Sequence, residues 1–134
     1  MIDIWRHERF MPEGRSHNHN GRVQGGSNSD NILADAYVKN LDTNNLINWM
    51  DGYAAMRTNA ELQPYNNFDF NDPTGSTKEG RGALDDWKAL GYVSTNYGRS
   101  VSKTVEYSLN DFAVAQVAFG EAPEEATTYM NRSR

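Results

Sequence analysis

The chain has no cysteine in its 134 residues. That excludes a disulfide framework, a thiolate metal site and a thiol nucleophile, and leaves the redox compartment open. No apolar run approaches the roughly 18 residues needed to cross a bilayer; the greasiest stretch, Phe112 to Phe119, is short and contains Gln116. Cations are in the minority, 13 Lys and Arg against 18 Asp and Glu, for a formal charge of -5. Such a balance carries no counterion-release drive toward nucleic acid or an anionic membrane, and neither is expected as a partner. Met1 is followed by Ile-Asp-Ile-Trp-Arg-His, not by a basic segment and an apolar core, so no signal peptide is expected in this stretch. Internal repeats, heptad runs and charge blocks are also missing.

What is present is polar and aromatic together. Only 37% of residues are hydrophobic, yet the chain holds 3 Trp, 7 Tyr and 5 Phe. Rings stack on sugar faces while amides bond hydroxyls, so aromatics in an Asn-rich background suit a sugar-contacting protein. A plain soluble domain with wet loops fits the same composition equally well.

Met1 to Asp30 is rich in Gly, Asn, His and Arg without periodicity and reads as an extended loop. Helical order is expected from Ser29 or Asp30, either of which can act as N-cap. Leu33, Tyr37 and Leu41 then make an i, i+4 ridge, with Asp35 and Lys39 as an outward ion pair. A second helix is expected from Asn48, with the Asp51 carboxylate returned to the free amides of its first turn. Its apolar face is Trp49, Tyr53 and Met56, and Pro64 follows its end. Residues 63–82 form a long polar loop, a length that leans toward function. A short helix from Ala83 carries Leu84, Trp87 and Leu90 and stops at Gly91. The strongest pattern runs from about Ser102 to Phe119. Val101, Val105, Leu109, Ala113 and Val117 recur every fourth residue and Phe112 and Phe119 widen the stripe, which predicts packing on more than one side. Pro123 opens a last helix with Glu124 and Glu125 in its first turn. That helix meets no C-cap signal before Arg134 and is expected to be cut mid-course. Strand signals are weak.

Several short motifs resolve into ordinary structure. His17 and His19 could share a metal, but no third ligand stands at a usual spacing. Asp69, Asn71 and Asp72 begin like an EF-hand loop, which Pro73 and Gly80 then break. The glycine-rich run Gly21 to Asp30 feeds a helix start, without the Lys-Ser/Thr or preceding strand of a nucleotide site. Glu106 and Asp111 lie about 140° apart on their helix and cannot form a one-faced carboxylate pair. Asn131-Arg132-Ser133 is a glycosylation sequon, for which chance is the default explanation.

Longer blocks carry a resemblance. They are Trp5-Arg6-His7; Met11-Pro12-Glu13-Gly14-Arg15-Ser16; Gln24-Gly25-Gly26-Ser27-Asn28-Ser29-Asp30-Asn31 running into Leu33-Ala34-Asp35-Ala36-Tyr37-Val38-Lys39; and Pro64-Tyr65-Asn66-Asn67-Phe68. Asp72-Pro73-Thr74-Gly75-Ser76-Thr77-Lys78-Glu79-Gly80-Arg81-Gly82, Gly91-Tyr92-Val93 and Thr104-Val105-Glu106-Tyr107-Ser108-Leu109-Asn110-Asp111-Phe112 follow. In this order they resemble glycoside hydrolase family 92, the calcium-dependent exo-acting α-mannosidases, and most closely its fungal branch.

The resemblance implies a mainly α chain with little or no sheet, part of an (α/α)6 toroid that follows an N-terminal β-sandwich. Residues 1–134 would be a single partial domain, with 1–28 extended and 29–134 supplying toroid helices and loops. The implied chemistry is inverting hydrolysis of a terminal α-mannose, α-1,2-linked in N-glycan-type oligosaccharides. A calcium ion would hold the sugar's O2 and O3. The family's acid and base blocks fall beyond Arg134, so no catalytic residue and no calcium ligand is expected here. By the resemblance, Gly26, Ser27, Asn28, Asp30 and Arg81 are expected to line the sugar pocket. The implied partners are a mannose-containing glycan and the rest of the catalytic domain, and the full-length enzyme is expected to be secreted. A non-catalytic carbohydrate-binding module is the rival reading, and a purely structural helical adaptor a weaker third.

Overall fold

The computed structural model describes residues 1–12, 28–65 and 80–134, together with the backbone of 15–16 and 19–20. The described residues are mainly α. Six helices run in the order α1 (Ile2–Glu8), α2 (Asn28–Val38), α3 (Trp49–Glu61), α4 (Leu84–Leu90), α5 (Ser100–Glu121) and α6 (Pro123–Arg132). The described sheet is one antiparallel ladder, β1 (Arg15–Ser16) on β2 (His19–Asn20), with Arg15 opposite Asn20 and Ser16 opposite His19.

The helix α1 corrects the expectation of an unbroken extended segment up to Asp30. Seven residues with few apolar positions give too little local signal, and a helix so short is not stable by itself. Tertiary partners supply what is missing. Ile2 and Trp5 pack on the main core, the Trp5 indole N–H donates to Thr58 Oγ1 at 3.1 Å, and Arg6 donates through Nε and Nη2 to Asp51 at 2.9 and 2.6 Å. Arg9, at φ 72°, closes the helix by donating its N–H to Trp5 O. That use of Asp51 overturns a second expectation. The α3 N-terminus is capped by Asn48, whose side chain accepts from the Asp51 amide at 3.1 Å, while the Asp51 carboxylate is drawn off to Arg6.

Helix α2 begins slightly earlier than expected, so Ser29 and Asp30 lie buried inside its first turn. Leu33 is buried and Tyr37 half-buried, but Leu41 falls past the helix end and is exposed. The Asp35–Lys39 pair forms at 2.8 Å. Helix α4 follows its expected course: Leu84 and Trp87 are buried with Val93 and Tyr107 in a small second core, Leu90 is exposed, and Gly91 at φ 74° terminates it. Pro123 takes the N1 position of α6, and Ala126 and Tyr129 face inward.

Helix α5 is the hub, packed against α2, α3 and α6. Its buried face is made of Lys103, Tyr107, Asn110, Asp111 and the small residues Ala113, Ala115 and Ala118 with Val114 and Val117. The apolar ridge expected to be packed on several sides instead faces outward over much of its length. Val101 is 77% and Val105 65% exposed, and Leu109, Phe112 and Phe119 are also exposed. Periodicity located the stripe but could not say that the tighter alanine-rich face would take the neighbours first.

Gly120 shows how closely α2 and α5 approach. A methyl group there would collide with the Tyr37 hydroxyl, which donates to Glu121 Oε1 at 3.0 Å. Replacing Gly120 by Ala is expected to lower stability by about 1–3 kcal/mol in urea unfolding of the polypeptide that carries this chain. Tyr37→Phe removes the colliding oxygen, so the double variant should recover part of that loss; strict additivity of the two changes would reject the contact.

Candidate functional site

Arg81 is fully buried between two carboxylates. Its Nη2 lies 2.9 Å from Asp30 Oδ2 and its Nη1 2.5 Å from Asp111 Oδ1. These partners stand 51 and 30 residues away in sequence. Asp30 comes from the first turn of α2 and Asp111 from the middle of α5. The remaining lone pairs are occupied from other elements. The Trp87 indole N–H donates to Asp111 Oδ2 at 2.9 Å, and Arg132 Nε approaches the same oxygen at 3.5 Å. Asn59 of α3 donates to Asp30 Oδ1 at 3.2 Å. The guanidinium also sits 5.5 Å over the Tyr107 ring, whose hydroxyl donates to Gly82 O at 2.7 Å. Burial alone disfavours the Arg81 charge, but the two carboxylates outweigh it and hold the guanidinium above its ordinary range.

The fold therefore brings Asp30 and Arg81 together, and it does so in the interior, bound to each other. Asn28 lies apart, exposed at the start of α2, where its side chain accepts from Asn31 Nδ2 at 3.4 Å. Asn31 in turn accepts from Asn110 of α5 at 3.3 Å. Gly26 and Ser27 lie outside the described residues, as do 66–79 of the long polar loop, the Asp69, Asn71 and Asp72 motif, and His17. Sequence reasoning weighed Asp111 only as a partner for Glu106 and missed its role as the second arm of this cluster. The available signal was a lone carboxylate immediately before the largely apolar stretch Phe112 to Val117, which calls for a buried counterion.

A second polar group opens to solvent. Arg57, Glu61, Lys88, Glu125, Tyr129 and Arg132 line a cleft of about 480 Å³ between α3, α4 and α6. Two carboxylates facing one cleft suggest an acid and base pair, so their electrostatics matter. Glu61 is held by Arg132 Nη2 at 2.7 Å and Lys88 Nζ at 2.9 Å. Glu125 accepts from Arg57 Nε and from the Tyr53 hydroxyl, each at 2.8 Å. Desolvation pushes the Glu61 carboxyl up, but the hydrogen bonds and charges of Lys88 and Arg132 outweigh it and leave its pKa lowered. A general acid needs the opposite shift. The Tyr53 and Tyr129 phenols are pushed up, by burial first and then by the carboxylates beside them, so they stay protonated donors. Among the described residues, no three His, Asp or Glu side chains converge as a metal site. With Asp30 and Asp111 engaged by Arg81, these residues do not fit a calcium ion.

Removing Asp111 leaves two buried donors, Arg81 Nη1 and the Trp87 indole N–H, without their acceptor and halves the negative charge facing the guanidinium. Asp111→Ala is expected to cost about 3–5 kcal/mol in chemical denaturation, and Arg81→Lys to be poorly tolerated because an ammonium cannot reproduce the guanidinium fork. A loss below about 0.5 kcal/mol for Asp111→Ala, the range of an ordinary surface change, would remove the cluster from its central place. The cleft makes a pH prediction. Because the folded Glu61 pKa lies below its ordinary 4.5, its ion pairs contribute stability above that value and lose it as pH falls through the depressed one. Glu61→Gln should therefore flatten the acid limb of the stability profile below pH 4.5 while lowering stability at neutral pH.

Comparison of the amino-acid sequence with known proteins gives its family. The family model described as the glycosyl hydrolase family 92 catalytic domain matches residues 1–134. The chain is also 36% identical over 142 residues to an uncharacterized secreted glycosidase of Arthroderma benhamiae, an alignment that covers 99% of this chain and 17% of that relative. The chain thus spans about a sixth of the relative's length. No described helix is long and apolar enough to cross a membrane. With the family's catalytic-domain pattern running through every one of its residues, this chain belongs to glycosyl hydrolase family 92.

Proposed function

We propose that the chain is one section of an α-mannosidase catalytic domain, and that the whole polypeptide removes terminal α-linked mannose from N-glycan-type oligosaccharides, α-1,2 linkages first, with inversion. The observation that carries this reading is the match of the catalytic-domain family to the whole chain. The outward stripe of α5 supports the sectional part. Val101, Val105, Leu109, Phe112 and Phe119 expose an apolar ridge, broken at Gln116, on a 22-residue helix, the kind of surface that a folded protein covers. In this reading α2 to α6 are consecutive helices of an (α/α)6 toroid, and the remainder of the domain packs on α5.

Inverting hydrolysis needs one carboxylic acid to protonate the leaving oxygen and one carboxylate to activate water on the opposite face, roughly 6.5–9.5 Å apart. Glu61, Glu125, Asp30 and Asp111 are each engaged by arginine or lysine. The proposal accordingly assigns both catalytic groups to polypeptide outside this chain. The contribution assigned to these residues is positional: Arg81 and Asp111 anchor Asp30, and with it the first turn of α2, which begins at Asn28. The ligand is a mannose-containing glycan, not nucleic acid or a membrane surface. Calcium, as the family resemblance implies it, would be held by residues other than those described here. Its export from the cell follows the relative named as a secreted glycosidase.

The test compares the full-length polypeptide with residues 1–134 on an aryl α-mannoside, with and without chelator. The full-length protein should release mannose, first seen by proton NMR as the β-anomer, and lose activity on chelation. The 134-residue chain should show no turnover. Turnover by the chain alone would falsify the assignment of acid and base elsewhere, and saturable mannose binding by a cooperatively melting chain would favour the carbohydrate-binding module.

A further inference from the structure

Helix α6 has two unlike sides. Ala126 and Tyr129 are buried, and the helix end is tied down by Arg132 to Glu61 at 2.7 Å and by Ser108 Oγ donating to Ser133 O at 2.5 Å. The opposite side carries Glu124, Thr127, Thr128 and Asn131, spaced at i, i+3, i+4 and i+7, and all four are exposed. No aliphatic residue interrupts this face. It differs in kind from the outward ridge of α5, whose apolar side chains call for a covering element. A face of one carboxylate, two hydroxyls and one amide has no such call and is built to remain in water.

Asn131-Arg132-Ser133 lies at the end of that face, and it is the single Asn-x-Ser/Thr triplet in the sequence. We propose that Asn131 is an N-glycosylation site. In the transfer, Asn131 Nδ2 attacks the anomeric carbon of a lipid-linked oligosaccharide diphosphate. A nitrogen–carbon bond forms as the carbon–oxygen bond to the diphosphate breaks, the lipid diphosphate departs with the bonding pair, and the amide gives one proton to a base of the transferase. The folded helix engages the Ser133 hydroxyl with Met130 O at 2.8 Å, so transfer precedes closure of the last turn of α6. The finished glycan then projects from the polar face without meeting the core. This places a hydrophilic cap on the side of the chain opposite the packing face of α6.

The inference rests on the proposal that the protein is exported, and the experiment separates the two. The full-length polypeptide is expressed in a secreting yeast host, and the medium and cell fractions are treated with peptide-N-glycosidase. Secreted protein should shift to lower mass on treatment, with Asn131 recovered as Asp in the corresponding peptide. Asn131→Gln and Ser133→Ala should each lose the glycan at that peptide, whereas Ser133→Thr should retain it. Secreted protein whose Asn131 peptide carries the unmodified amide overturns the site and leaves export standing. Protein that stays in the cytosol overturns both. Hydrolysis of the aryl mannoside by Asn131→Gln should match the parent, since Asn131 itself lines neither the cluster at Arg81 nor the cleft at Glu61.

Discussion

A buried guanidinium decides how this chain closes. Taking Arg81 out of water carries a large desolvation penalty, which is offset only if charges of opposite sign and correct geometry are waiting. Asp30 and Asp111 meet that condition from helices far apart in sequence, and Trp87, Asn59 and Arg132 occupy their remaining oxygens. The arrangement is directional as well as stabilising. Sliding α2 past α5 would leave at least one carboxylate buried and unpaired, so the cluster specifies a single register where apolar packing alone would tolerate several. It also sets where Asp30 and Arg81, which the family resemblance implies as pocket residues, lie in this structure: both are buried, and Arg81 donates to Asp30 and to Asp111.

Around that centre the chain has two kinds of outside. The alanine-rich face of α5 lets α2, α3 and α6 approach closely, and Gly120 admits the Tyr37 hydroxyl where a side chain could not stand. The reverse face of the same helix is apolar and open. The outer face of α6 is polar throughout. A surface of the first sort is the boundary at which further polypeptide is expected, and one of the second sort is a boundary with water. In the function proposed above, the two together orient the chain as a section of a larger domain.

The cleft between α3, α4 and α6 shows why two carboxylates facing one space do not by themselves make a hydrolytic site. Glu61 and Glu125 have the right chemistry and the wrong company. Lys88, Arg132 and Arg57 hold them as ion pairs, and the Glu61 carboxyl, whose pKa Lys88 and Arg132 lower against the effect of burial, is a poor proton donor at the pH where a glycosidase works. Membership of a glycosidase family is a property of the whole chain, whereas catalysis belongs to particular groups in particular surroundings.

Helix type and most helix limits were legible in the amino-acid order because they depend on local physics: Asn48 caps, Gly91 stops, Pro123 starts, and the four-residue spacing along α5 is visible without coordinates. The family, too, could be read from ordered motif blocks, and the catalytic-domain match covers the same residues. Tertiary structure alone decided which face of α5 is inside, that Ile2–Glu8 is a helix held by Asp51 and Thr58, and that Asp111 completes a site with Asp30 and Arg81. The reason is common to all three. Periodicity reports how side chains are spaced around one axis, but which side is buried, and which charge finds a partner, depends on segments distant in sequence whose approach no local pattern encodes.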